Sequence, residues 1–372
     1  MKIQDITIGL VKIPLRTPFK TALRTVESVE DIVIKITAEN GETGYGEAPP
    51  TRAITGETLS SIANALGTYL IPAVKGMDLK EPAVILQKIQ NCIPGNSSAK
   101  AAMDMAVYDL TAKRTEIPLC ILLNKSTDLK KPLMTDLTIS VNPVEQMVLD
   151  AKEAVARGFQ SLKIKVGKEG SKDLERIHEI RAAIGDQVGI RVDANQGWTP
   201  QQAVAILQQA QDMKLNLEFV EQPVKAGDIS GMAYIKANTQ IPIVADESAF
   251  HPEDAERIFY ENAADMVNIK LMKAGGIYEA LKIAEIAGRY GKKCMMGCML
   301  ESKIAVSAAA HFAAAMGDVV TAVDLDGPSL CAVDPYIGGP AFQDPYIYMN
   351  ETQGIGIAGI EQNYYEEMEG GK

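Results

Sequence analysis

From about residue 131 to residue 325, short β-rich runs alternate with helical stretches, and this alternation limits the folds open to the chain more than any other feature. The runs cover 133–141, 161–166, 188–193, 217–221, 241–246, 265–270, 293–297 and 321–325. Between them lie alanine-rich segments with helical periodicity, such as 175–184, 201–213 and 278–290. Strands separated by helices run parallel, and eight such units over roughly 195 residues predict closure into a (β/α)8 TIM-type barrel. An open doubly wound sheet is the alternative. It has fewer strands and often a glycine-rich first turn. Gly167-Lys168-Glu169-Gly170 follows the second run but matches neither a dinucleotide fingerprint nor a P-loop.

The first third reads differently. Ile3, Ile6, Ile8 and Val11-Ile13 have β-type spacing, 32–36 alternates, and Asn40-Gly41 is a hairpin signal between 32–37 and 43–46. A polar loop is predicted at 16–27 and a second at 48–56. Residues 56–123 read as helices, one opened by Gly56-Glu57-Thr58 and one capped by Asn96-Ser97-Ser98 and running to Lys113. An α+β domain over 1–125 thus precedes a barrel over 126–330.

With 372 residues, 47% hydrophobic and 23% charged, the chain can bury an ordinary core without disulfides. Its five cysteines, Cys92, Cys120, Cys294, Cys298 and Cys331, form no CxxC pair and read as reduced thiols of a cytosolic protein. A net charge of −11 argues against nucleic acid and anionic membranes as partners. The first residues lack the apolar run of a signal peptide. The apolar stretch 304–316 contains His311 and is shorter than the ~18 residues a membrane span needs, so a buried helix is expected there.

Ionisable residues collect at the C-terminal ends of the predicted strands, where barrel enzymes build their sites. Lys163 and Lys165 end the second, Asp193 the third, Glu221 the fourth, Asp246 the fifth, Lys270 the sixth, and Asp324 and Asp326 the eighth. Asp193, Glu221 and Asp246 are 28 and 25 residues apart, one β/α unit each. Three converging carboxylates repel unless a cation lies among them, and all-oxygen ligation selects Mg²⁺ or Mn²⁺. None of the three histidines ends a strand, which weakens a zinc reading. Lys163 and Lys165, two apart on a strand, share a face, and like-charge proximity is expected to leave one amine neutral near pH 7. Strands two and six of an eight-strand ring stand opposite each other, which puts a base on each side of a bound carbon. Asn195 and Glu247 are placed to orient the metal ligands. Glu301, after the seventh strand, is a candidate for lining the site.

Lys163-Ile164-Lys165, Asp193-Ala194-Asn195, Glu221-Gln222-Pro223, Asp246-Glu247-Ser248 and Asn268-Ile269-Lys270 resemble, in order, the signature of the muconate-lactonizing subgroup of the enolase superfamily. The resemblance covers essentially the whole chain, and implies an N-terminal capping domain completed by the tail at about 331–372. Asp324-Leu325-Asp326 resembles the Asp-x-Asp with which dipeptide epimerases hold the substrate's α-ammonium. The implied activity is epimerisation at the C-terminal residue of an L,L-dipeptide. Its C-terminal carboxylate would bind Mg²⁺, Lys165 and Lys270 would exchange the α-proton, and Lys163 would stabilise the enolate. Capping loops would set specificity. Arg24 resembles the arginine that L-Ala-D/L-Glu epimerases use for the glutamate side chain, and an arginine selects an acid well. Phe19, Ile54 and Thr135 are further candidates for substrate contact. A small-molecule dipeptide is the expected partner, a homo-oligomer is left open, and a cytoplasmic location is expected.

Taken singly, each residue has a plainer reading. A strand-end aspartate often caps the next helix, Lys163 and Lys165 could snorkel, Arg24 could be merely solvated, and Lys273 with Gly275-Gly276 reads as a turn. Competing functions are a hydrophobic-dipeptide epimerase, an N-acylamino acid racemase or cycloisomerase, an acid-sugar dehydratase, and an inactive metal-bound barrel.

Overall fold

The computed structural model describes residues 1–20, 25–167 and 170–368. Strand β1 (Ile3–Lys20) pairs antiparallel with β2 (Thr25–Ala38), which pairs with β3 (Thr43–Ala48). The turn falls at Asn40-Gly41, with Gly41 at φ +85° and Thr37 opposite Thr43. A fourth strand, Tyr365–Glu367, comes from the far end of the chain and lies along β1, Gly9 opposite Glu367.

The polar loop expected at 16–27 is instead largely strand. Pairing is irregular after Pro14 and resumes with Phe19 opposite Val26 and Lys20 opposite Thr25. Most of this arm is exposed, so it carries no alternation of apolar and polar residues to read. Arg24 lies outside the described residues.

The helix Ser97–Arg114 crosses the sheet and is buried along most of its length. Glycines make that approach feasible: a Cβ on Gly46 would lie 1.9 Å from the Ala102 carbonyl oxygen, and one on Gly44 2.3 Å from that of Ala106. The expected Asn96 cap is a correction. Asn96 stands at φ +53° and makes no side-chain cap; the Glu57 carboxylate accepts from Ser98 N (2.9 Å) and Ala99 N (3.1 Å) instead. Thr58 does cap the Leu59–Asn64 helix, in a capping box with Ser61.

Eight parallel strands then follow in sequential order: Leu137–Ile139, Ser161–Lys165, Gly189–Asp193, Leu217–Glu221, Ile243–Ala245, Met266–Ile269, Lys293–Gly297 and Val320–Asp324. The predicted strand 133–141 divides. Leu133–Met134 pairs antiparallel with Tyr346–Tyr348 of the tail, and only Leu137–Ile139 joins the barrel. The division follows from Thr135 and Asp136, whose backbone N–H groups turn to Pro345 O and Val323 O. Between the first and eighth strands the ring is completed by that Asp136 N–Val323 O bond, by Thr138 N donating to Asp326 Oδ2 (2.8 Å) and by Leu325 N donating to Thr135 Oγ1 (2.8 Å).

One hydrophobic core runs from Val11, Val33 and Met105 of the first region into the barrel strands and helices. The apolar stretch at 304–316 forms the Lys303–Ala315 helix, buried on nearly every face. Among the described residues no helix is long and apolar enough to cross a membrane. His311, fully buried in this helix, accepts from Cys120 N through Nδ1 (3.2 Å). Burial pushes its pKa down to about 3.

Gly46→Ala is expected to destabilise the fold by at least about 1–3 kcal/mol, because the helix backbone must move; the shift in denaturation midpoint measures it. His311 gives a pH signature. Its folded pKa lies below the unfolded value of about 6.5, so as pH falls below 6.5 the unfolded state takes up a proton the folded state refuses, and stability drops. His311→Asn is expected to remove about 1.4 kcal/mol per pH unit from the slope of unfolding free energy between about pH 6 and 4.

Candidate active site

The strand ladder sets the level of the site. Lys165 lies beside Asp193, and Asp193 beside Glu221, so the ends of barrel strands two, three and four present their side chains in one layer. Asp246 follows the fifth strand, Lys270 the sixth, and Asp324 ends the eighth; all of these side chains are buried. One cavity is lined by Lys163, Lys165, Asn195, Asp246, Glu247, Lys270, Asp324 and Asp326. Phe19 of the β1–β2 arm and Ile54 of the segment after β3 cover it. The structure thus brings together most of the residues singled out in the sequence.

Three carboxylates share one arrangement. Each has one oxygen held from behind and the other turned to a lysine. Asp193 Oδ1 accepts from Asn195 N (2.8 Å), and its Oδ2 from Lys165 Nζ (2.5 Å). Glu221 Oε1 accepts from Asn268 Nδ2 (2.7 Å), while its Oε2 lies 3.0 Å from Lys163 Nζ in ion-pair contact. Asp246 Oδ1 accepts from Lys273 Nζ (2.5 Å), and its Oδ2 from Lys270 Nζ (2.8 Å). Lys163 also pairs closely with Asp324 Oδ2.

These contacts overturn the expectation that neighbouring ammonium groups leave a lysine neutral. Burial alone would lower the Lys163 pKa, but Asp324, Glu221 and Asp193 outweigh it and hold the group well above the ordinary lysine value. Lys270 is likewise raised, burial being overcome by Asp246. Carboxylates outnumber the lysines around each ammonium, a balance that spacing along one strand cannot show. Asp324 is held down at about 2: burial opposes, and Lys163 prevails. Asp326 is pushed up to about 6 by burial and the Asp324 charge, and Glu247 to about 7 by burial and the Asp246 and Asp193 charges.

Among the described residues no three acidic, histidine or cysteine side chains are grouped as a metal's ligands would be; the ammonium groups stand between the carboxylates. The donor set nevertheless fits a hard divalent cation. It is all oxygen, with one lysine-facing oxygen from each of three adjacent strands. Glu247 Oε2 and Asn195 Oδ1 are buried beside it without hydrogen-bond partners, although Asn195 Nδ2 reaches Glu247 Oε1 at 3.2 Å.

Four candidates among the described residues do not line the cavity. Asp193 and Glu221 are in contact with Lys165 and Lys163, which do. Thr135 does not line the cavity but joins the first and eighth strands. Glu301 is buried beneath the wall, its Oε1 accepting from Met299 N (2.7 Å), and burial pushes its carboxyl up to about 8. Sequence reasoning missed Thr51, Ala53, Thr138, Cys298, Met299, Leu300 and Leu330, which complete the lining. Thr138 had a signal, since it stands beside Lys163 in the ladder. The loop residues had none. Lys273 is more than a turn residue: its ammonium is buried against Asp246 and Asn268. Gly275 and Gly276 do form a turn, at φ +91° and +118°.

Two family models match this chain: "Mandelate racemase / muconate lactonizing enzyme, N-terminal domain" over residues 3–124, and "Enolase C-terminal domain-like" over 146–362. The chain belongs to the mandelate racemase/muconate lactonizing enzyme family of the enolase superfamily. An L-Ala-D/L-Glu epimerase of Clostridium acetobutylicum is 47% identical over 97% of this chain and 99% of that protein. A substrate-liganded structure of the Bacillus subtilis L-Ala-D/L-Glu epimerase is 44% identical, with a TM-score of 0.94 over 97% of this chain and 99% of that one. The Enterococcus faecalis dipeptide epimerase complexed with Mg and L-Leu-L-Tyr is 38% identical, with a TM-score of 0.92 over 96% of this chain and 100% of that one.

Proposed function

We propose that this protein is a Mg²⁺-dependent dipeptide epimerase that inverts the α-carbon of the C-terminal residue of an L,L-dipeptide, with L-Ala-L-Glu as first candidate. The carrying observation is one cavity lined by Lys165 and Lys270 from opposed strands, by Asp246, and by Asp324 and Asp326 on the remaining wall, with Asp193 and Glu221 paired to its lysines. Asp193, Glu221 and Asp246 would hold the cation, with Asn195 and Glu247 orienting them. Mg²⁺, when bound, supplies a Lewis acid for the substrate carboxylate and competes for the oxygens that now hold lysine ammonium groups.

The chain's own residues do the rest. One of Lys165 and Lys270, as the free amine released from its carboxylate, takes the α-proton from one face, and the other, as ammonium, delivers its own proton to the opposite face. Lys163, kept cationic by its neighbours, offers positive charge where the enolate develops. Asp324 and Asp326 receive the substrate's α-ammonium, an anionic pair that a racemase of N-acylated amino acids would not need. Thr138, whose backbone N–H donates to Asp326 Oδ2, positions that carboxylate.

For side-chain choice, the likeness to L-Ala-D/L-Glu epimerases and Arg24 support an acidic C-terminal residue. A second reading, hydrophobic dipeptides, is favoured by the apolar lining of Phe19, Ile54, Met299, Leu300 and Leu330. We also propose that 1–125 with the tail 331–372 acts as a cap over a barrel of 126–330. A cytoplasmic location accords with five unpaired cysteines.

Incubation with Mg²⁺ in D₂O and pooled L,L-dipeptides is expected to give a one-dalton gain, read by mass spectrometry, in X-Glu members first. Gain confined to apolar members would select the second reading, and no gain in any dipeptide would sink the epimerase. Lys165→Ala is expected to reduce exchange from one epimer by about 10²–10⁴-fold and to spare the other, with Lys270→Ala doing the reverse. Equal losses from both epimers in both variants would refute two-base transfer.

A further inference from the structure

The carboxylate nearest Lys270 is held by a cation that takes no part in the cavity. Lys273 is 1% exposed and does not line the cavity, yet its Nζ lies 2.5 Å from both Asp246 Oδ1 and the Asp246 carbonyl oxygen and 2.9 Å from Asn268 O. An ammonium has three N–H donors, and these three acceptors use them all. The Phe250 ring, 5.7 Å away, lies beneath it. The local chain brings this about. Lys270 N-caps a one-turn helix, Leu271–Ala274, which Gly275 ends in the left-handed region, so Lys273 turns back under the strand it has just left. The outcome is a division of labour within one carboxylate: Oδ1 is occupied from behind, and Oδ2 alone faces Lys270 and the cavity.

We propose that Lys273 is a positioning residue that fixes Asp246 as a one-oxygen ligand for the divalent cation and ties the fifth strand's end to the sixth. Asn195 N and Asn268 Nδ2 do the same for Asp193 and Glu221, but each with a single neutral donor. Lys273 alone among the three carries a charge, and two effects therefore oppose each other. Its ammonium repels a cation on the far side of the carboxylate, which weakens binding. Its three hydrogen bonds hold the carboxylate and the backbone in one orientation, which strengthens it. Three short contacts at a fully buried site make orientation the larger effect. Removing a group that orients a metal ligand costs about 10–100-fold in metal affinity.

The inference rests on the reading of Asp246 as a metal ligand, so Asp246→Asn is measured beside Lys273→Met. Titration calorimetry with Mg²⁺ alone gives the affinity, and thermal unfolding in EDTA gives the fold's integrity. Lys273→Met is expected to bind Mg²⁺ about 10–100-fold more weakly. Its lost isotope exchange should return as Mg²⁺ is raised, which a lysine that moved protons would not allow. Should the methionine variant not fold, Lys273→Gln, which keeps an amide donor on a shorter chain, reads the same affinity and is expected to lose less. Unchanged or tighter Mg²⁺ binding in the folded variant would overturn the assignment. Retention of affinity by Asp246→Asn would instead overturn the ligand reading beneath it.

Discussion

Four ammonium groups and four carboxylates meet at the C-terminal ends of the barrel strands, and their mutual neutralisation permits that much charge below the surface. Lys163, Lys165, Lys270 and Lys273 face Asp193, Glu221, Asp246 and Asp324. An isolated buried charge costs several kcal/mol, and removing one partner strands the other. The shifts in pKa follow the balance of burial and charge: Glu221, in ion-pair contact with Lys163, is still raised by burial and by Asp193. Asp246 and Asp324 touch ammonium groups and are held low. Glu247 and Asp326 have no ion-pair partner among the described residues and are pushed up to about 7 and about 6. The site is thus poised for a ligand that brings its own charges: a carboxylate and an ammonium at opposite ends, and a divalent cation.

The same economy joins the two regions of the chain. Glu47 of β3 accepts from Ser302 N and Ala305 N (both 2.8 Å), at the start of the Lys303–Ala315 helix. Asp104 accepts from Ile277 N (2.6 Å) and Tyr278 N (3.3 Å), at the start of Ile277–Arg289. Carboxylates from the first region thereby satisfy the open N–H groups of barrel helices that follow the sixth and seventh strands. Those helices follow Lys270 and the cavity wall at Cys298–Leu300, so the cap and the reacting lysine share a support. Gly276 is required there, since a Cβ would lie 2.3 Å from Asp104 Cγ.

The barrel was legible because eight strands buried by helices on one side and by each other on the other leave short apolar runs at regular spacing. The site was legible because strand ends are where a barrel places its chemistry, and Lys163, Lys165, Asp193, Glu221, Asp246 and Lys270 all stand there. What was not legible depends on contacts between distant segments. The β1–β2 arm is mostly exposed and buries only scattered side chains such as Leu15, Phe19 and Val26, so its strands read as loop. The break at Thr135-Asp136 depends on Pro345 and Val323, and the Ser97–Arg114 cap on Glu57, none of them sequence neighbours. Lys273 looked like a turn residue because nothing in its own segment reveals that Asp246 waits behind it.

The strand Tyr365–Glu367 has a consequence for biogenesis. It completes the sheet begun by β1, Gly9 against Glu367, and Leu15 bridges to Cys331 near the tail. During synthesis from the N-terminus, the opening hairpin therefore waits for its fourth strand until residue 367 has left the ribosome. Glu47 and Asp104 likewise emerge long before Ser302 and Ile277, the helix starts they will serve. The nascent chain carries these unmet carboxylates until Ile277 and Ser302 emerge, and an open β1 edge until Tyr365–Glu367 does.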